Sequence, residues 1–179
     1  MKKSPLILRI AAAALIALLL PVAMLMPALT KGETAALLGL AECGKPYVFG
    51  KEGPDSFDCS GLTRSVFLHF GYDLIHSAQL VAYDDTYETV EDAKDLRVGD
   101  MIFFDTVADK DKCDHVGIWL GANRFVHASS SKMVVMVSRF DKEWQEKYSW
   151  GKHLMDNFDL SAIKNIAAQF KTEEKTSAK

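Results

Sequence analysis

The hydrophobic period of this chain changes once, at Gly99, and that change constrains the fold more than any other feature. Before it, apolar residues recur at helical spacing. Ala36, Leu37, Leu40 and Ala41 mark a helix over Glu33 to Cys43 that stops at Gly44. "GKPYVFGKEGPDS" follows as a loop punctuated by glycine and proline. Asp58 then suits an N-cap, and Leu62, Val66, Phe67 and Phe70 form the stripe of a second helix ending at Gly71. Residues 77–98 are polar and read as loop with a helical turn or two. After Gly99 the segments "DMIFF", "HVGIWL", "RFVHAS" and "MVVMVS" are short and rich in Val, Ile, Phe and Trp, as strands are. Helices first and an antiparallel sheet second is the order of an α+β domain.

A chain of 179 residues with 49% hydrophobic content supports one globular domain with its own core. Lys2, Lys3 and Arg9 precede a charge-free run from Ile10 to Leu29. A basic start before an apolar stretch predicts export. Residues 1–30 are therefore a signal peptide or a retained membrane anchor. The flanks of Ala23 and Ala28 suit signal peptidase poorly, and ~20 apolar residues are enough to cross a bilayer. No cysteine follows the run, which argues against a lipid-modified N-terminus. Residues 1–29 hold three of the 21 basic residues and none of the 24 acidic ones, so the exported part carries a net charge of −6. An acidic domain is a poor partner for nucleic acid, whose phosphates need clustered Lys and Arg. At the other end, Ile163, Ile166, Ala167 and Phe170 predict an amphipathic helix over 160–171, packed back on the domain before a polar tail at 172–179.

Cys59 sits where the second helix starts. A thiol there feels free backbone N–H groups and the positive end of the helix dipole, which favour the thiolate. Taken alone, a cysteine is more often a small buried hydrophobe. Two histidines in the strand region change the balance. His115 and His127 flank "GAN" (121–123), and a three-residue loop pairing Leu120 with Arg124 would set both imidazoles on one face, diagonally placed on neighbouring strands. A two-residue loop would put them on opposite faces. Together the three residues supply a nucleophile, a base and a group to orient the base. A zinc site using Cys59, Cys113, His115 and His127 is the rival, disfavoured because Cys-x-x-Cys and His-Glu-x-x-His spacings are missing. We expect neither metal nor cofactor.

The ordered motifs "GKPYVFG", "FDCSG", "LRVGDMIFF", "DHVGIWLG" and "RFVHASS" resemble the NlpC family of bacterial cell-wall peptidases, the NlpC/p-sixty group, over roughly residues 33–155. The resemblance implies a papain-like fold and a cysteine endopeptidase acting on peptidoglycan stem peptides, commonly between D-γ-glutamyl and a diamino acid. It implies Cys59 as nucleophile, His115 as base and His127 as orienting residue. Tyr47 would support the oxyanion with the Cys59 backbone N–H, and Asp58 and Ser60 would help form the cleft. The chain departs from the pattern at Lys51, at Ser56 and in "LIHSAQ", where His76 stands in place of a common arginine near the substrate. The domain is bounded at 33–159 and expected to be a monomer. Alternatives are an amidase cutting the sugar–peptide bond, a lipid acyltransferase-like relative and a silent wall-binding module. Permuted acyltransferases place histidine before cysteine, the reverse of the order here. Export also permits a Cys43–Cys113 disulfide, with two buried free thiols the other possibility.

Overall fold

The computed structural model describes residues 29–107 and 113–154. The predicted C-terminal helix and tail, and all but the end of the predicted signal or anchor, lie outside these residues. Among the described residues no helix is long and apolar enough to cross a membrane.

Helix α1 (Lys31–Ala41) begins two residues earlier than the apolar pattern suggests, because Thr30 and Glu33 form a capping box. The Glu33 amide donates to Thr30 Oγ1 at 3.1 Å, and the Thr30 amide donates to Glu33 Oε2 at 2.8 Å. The face it buries also differs from the expected stripe. Gly32, Ala35, Ala36 and Gly39 are buried, while Leu37 and Leu40 are exposed. Close approach to the sheet explains the choice: a Cβ on Gly39 would lie 2.8 Å from Val126 Cγ1. Small residues sit where this helix approaches the sheet most closely, so Leu37 and Leu40 turn outward while Leu38 packs half-buried at the core's edge.

Helix α2 (Cys59–Leu68) packs Leu62, Val66 and Phe67 into the main core. Segment 77–98 contains a short helix α3 (Ala78–Ala82), strand β1 (Glu88–Val90) and a 3₁₀ turn (Ala93–Asp95). Strands β2 (Met101–Phe104), β3 (His115–Gly121), β4 (Arg124–Ser129) and β5 (Val134–Arg139) follow the four apolar segments. A short helix α4 (Lys142–Lys147) and strand β6 (Tyr148–His153) complete the order. All paired strands are antiparallel, in the order β1-β6-β2-β3-β4-β5.

Alternation along the strands divides the interior in two. Met101, Phe103, Val116, Ile118, Val126 and Ala128 join α1 and α2 in the larger core. Ile102, Phe104, Trp119, Phe125 and Phe140 form a second cluster against Trp144 and Tyr148. The segment after α3 is tied down by Lys152 of β6, which is 2% exposed. Its ammonium donates to the Asp84 and Tyr87 carbonyls and to Thr89 Oγ1, at 2.9–3.2 Å.

The β3–β4 hairpin corrects one expectation. Its turn has two residues, Ala122 and Asn123, with φ of 48° and 54°. That pair of left-handed residues is the turn whose twist matches a hairpin. The register runs Ile118↔Val126 and Trp119↔Phe125, then shifts so that Gly121, not Leu120, faces Arg124. The bulge adds the residue that the shorter turn lacks. His115 and His127 therefore still share a face.

Candidate active site

The N-terminus of α2 is built around Asp58, which is only 4% exposed. Its Oδ1 accepts from the Gly61 amide at 2.7 Å, capping the helix, and from Ser60 Oγ at 3.1 Å. Its Oδ2 accepts from the Gly50 amide at 2.7 Å, which ties the preceding loop to the helix. His76 Nε2 lies 2.9 and 3.0 Å from the two carboxylate oxygens. Gly61 is required here for space: a Cβ would lie 2.2 Å from the Lys51 carbonyl oxygen. Asp58, Cys59, Ser60, Tyr47 and His76 thus line one open cavity of about 470 Å³. All five cleft positions expected from the sequence come together in it.

The two imidazoles meet as the register requires. His115 Nε2 lies 2.7 Å from His127 Nδ1, with the rings edge to face at 4.9 Å. Gly117 lets β3 lie close to β4 beside the pair, since a Cβ there would lie 2.9 Å from Phe125 Cδ2 and 3.3 Å from His127 Cβ. The Trp144 ring covers the pair, 5.8 Å from His115 and 5.3 Å from His127. His127 Nε2 lies 2.9 Å from Ser138 Oγ. Burial lowers His115 to about 4, against the opposing pull of Asp114, and lowers His127 to about 3, aided by its neighbour His115. Both rings are neutral at pH 7.

Cys59 is not held as a thiolate, contrary to the reading from helix position. Burial first, and then the Asp58 carboxylate, push its thiol up to about 11. Backbone N–H groups of Val116, Ser60 and Cys59 pull the other way and are outweighed. The helix-terminus effect is present, but desolvation of the charged sulfur exceeds it. Sγ makes a long 4.0 Å contact to the Asp114 carbonyl, the residue before His115. No hydrogen bond joins it to an imidazole among the described residues, and neither imidazole lines the cavity. At pH 7 the thiol and both imidazoles are neutral. Tyr47 is raised as well, by burial and then by Cys59 and Asp58.

Cys43 and Cys113 are both free thiols, the first exposed and the second buried, so no disulfide joins them. Among the described residues no group of three His, Cys, Asp or Glu is placed to hold a metal ion. Sequence reasoning missed Gly117, Ser138 and Trp144. Gly117 was legible in principle as a glycine inside an apolar strand. Ser138 and Trp144 come from β5 and α4, and nothing local announces their contact with His127.

The NlpC/P60 family matches residues 44–153. Among curated proteins, the chain is 31% identical to "Probable endopeptidase YafL" of Escherichia coli (strain K12) over 121 residues, covering 64% of this chain and 46% of that one. It is 32% identical over 118 residues to "Murein DD-endopeptidase MepS/Murein LD-carboxypeptidase" of the same organism, covering 63% and 57%. The chain thus spans about half the length of these relatives. Among solved structures, NlpC1 from Trichomonas vaginalis aligns with TM-score 0.62 at 30% identity, covering 71% of this chain and 44% of that one. The NlpC/p60 domain of the peptidoglycan hydrolase SagA aligns with TM-score 0.58 at 25% identity, covering 69% and 98%.

Proposed function

The chain belongs to the NlpC/P60 family, and from that premise we propose that it is a cysteine endopeptidase cleaving stem peptides of bacterial peptidoglycan. One observation carries the reading: Cys59 opens α2 in a 470 Å³ cavity, against the strand that bears the paired His115 and His127. The residues take the roles expected of them. As Cys59 Sγ attacks the peptide carbonyl carbon, its proton passes to His115 Nδ1, since Nε2 is engaged by His127. The Cys59 amide and the Tyr47 hydroxyl stabilise the oxyanion. His115 then returns the proton to the departing amine, leaving a thioester that water hydrolyses. Substrate contacts of Asp58, Ser60 and His76 complete the assignment.

The bond we favour joins D-γ-glutamyl to a diamino acid. The name of the E. coli relative MepS makes the D,D cross-link the second bond to test. An exported, wall-facing location follows from the substrate, with residues 10–29 the candidate membrane contact. Mass spectrometry of defined muropeptides incubated with the protein tests the proposal. Cleavage at one of these bonds by the wild type, lost in Cys59→Ala, is expected. Equal turnover by Cys59→Ala, or inactivation of the wild type by EDTA, would overturn it. Release of an intact stem peptide from its sugar would favour the amidase.

A further inference from the structure

The hydrogen-bonded histidines are two members of a longer chain. His115, His127 and Ser138 lie on three adjacent strands, β3, β4 and β5, and on one face of the sheet. His127 faces Met136 and Phe125 faces Ser138, so Ser138 is displaced by one pleat along β5. The His115–His127 contact is diagonal in the same sense. Each member therefore reaches the next across a strand boundary, at 2.7 Å and then 2.9 Å.

Such a chain has a direction, and only one direction makes His115 a base. If His127 carries its proton on Nε2 and donates to Ser138 Oγ, its Nδ1 lone pair accepts from His115 Nε2–H. The His115 Nδ1 lone pair is then bare and can take the Cys59 proton. If Ser138 donates instead, His127 must carry its proton on Nδ1 and give it to His115 Nε2. His115 then holds its own proton on Nδ1, where no base remains. We propose that Ser138 is a positioning residue that accepts from His127 Nε2 and so fixes the tautomers of both imidazoles in the reactive sense.

Two features favour acceptance. Ser138 is half-buried, so its rotating hydroxyl hydrogen can point to solvent while a lone pair faces the ring. His127 is 2% exposed, and Ser138 is the partner of its Nε2 among the described residues, so a protonated Nε2 depends on this acceptor. A hydroxyl also orients the ring without a carboxylate that would draw a charge onto it. The inference rests on reading Cys59 and His115 as nucleophile and base.

Imidazole-¹⁵N-labelled full-length protein at pH 7 provides the direct test, because long-range ¹H–¹⁵N spectra report which ring nitrogen is protonated. Both histidines are expected to be protonated on Nε2 and bare on Nδ1. Ser138→Ala should give His127 mixed tautomers and lower kcat on the cleaved muropeptide roughly 10-fold, a fraction of the ~10²–10⁴-fold a general base supplies. KM should not change, and Ser138→Thr should restore both spectrum and kcat. Protonation of His127 on Nδ1 in the wild type, or unaltered tautomers in Ser138→Ala, overturns the proposal. Should the wild type cleave none of the muropeptides, the proposed function fails, while the spectra still decide the role of Ser138.

Discussion

Replacing Asp58 by asparagine should lower the stability of the fold and the pKa of the Cys59 thiol together. Asp and Asn serve about equally well as simple helix caps, so the cap contact itself predicts almost no loss. The difference arises because donors converge on both carboxylate oxygens. An asparagine oxygen at Oδ1 retains the bonds from Gly61, Ser60 and His76. Its amide nitrogen then stands at Oδ2, opposite the Gly50 amide and the near edge of His76. One charge-assisted bond is lost, worth ~1.5–3 kcal/mol, and two donors face each other. Because Gly50 is exposed and can bind water, we expect a net cost of about 2 kcal/mol, or a fall in Tm of roughly 4–8 °C for a chain of this size. The effect on the thiol has the opposite origin. Asp58 is the second cause of the raised Cys59 pKa, and burial, the first, remains after the substitution. The pH midpoint of iodoacetamide alkylation at Cys59 should move down from about 11 without reaching the ordinary 9.0. Calorimetry and alkylation followed by peptide mass spectrometry measure the two effects. An unchanged Tm, or a midpoint that stays or rises, would refute the account of Asp58 as both clamp and electrostatic brake.

Gly117→Ala should separate β3 from β4, costing about 1–3 kcal/mol by overpacking, because its Cβ would lie 2.9 Å from both Phe125 Cδ2 and the Val126 carbonyl oxygen. Hydrolysis should fall further than stability, since the His115–His127 contact is lost; a variant with wild-type Tm and activity would contradict this. Stability should decline as pH falls from about 6.5, because the unfolded histidines bind protons that buried His115 and His127 refuse until about 4 and 3. Asp100, raised by burial, acts in the opposite sense, so the pertinent measurement is the difference from His127→Gln, whose Tm should vary less between pH 6.5 and 5. Lys152→Met should cost about 2–4 kcal/mol by stranding the Asp84 and Tyr87 carbonyls and Thr89 Oγ1, and should raise hydrogen exchange across 84–89; unchanged exchange there would show that the ammonium does not hold the segment.

Much of the site could be read from neighbours in sequence. The period change at Gly99 separates helices from strands, and Asp58 followed by an apolar stripe places Cys59 at a helix start. Those inferences succeed because capping and amphipathic period involve residues within a turn or a pleat of each other. The histidine pair was legible through parity, although by the wrong turn. The bulge that restores parity depends on how strand twist is absorbed at Gly121, which has φ of 77°. Strand β6 was not legible at all: "YSWGKH" inserts between β1 and β2 by pairing with residues about 50 and 60 positions away.

By itself, then, the sequence determined the class of fold, the helix that presents Cys59, and the two histidines that share a face of the sheet. The three-dimensional packing decided how far their pKa values move. Burial under Trp144 lowers the imidazoles, and burial with a nearby carboxylate raises the thiol. It also brought Ser138 to the far nitrogen of His127. Desolvation and cross-strand contacts sum over atoms from distant segments, so no local pattern encodes them, whereas caps and periods are settled within a few residues.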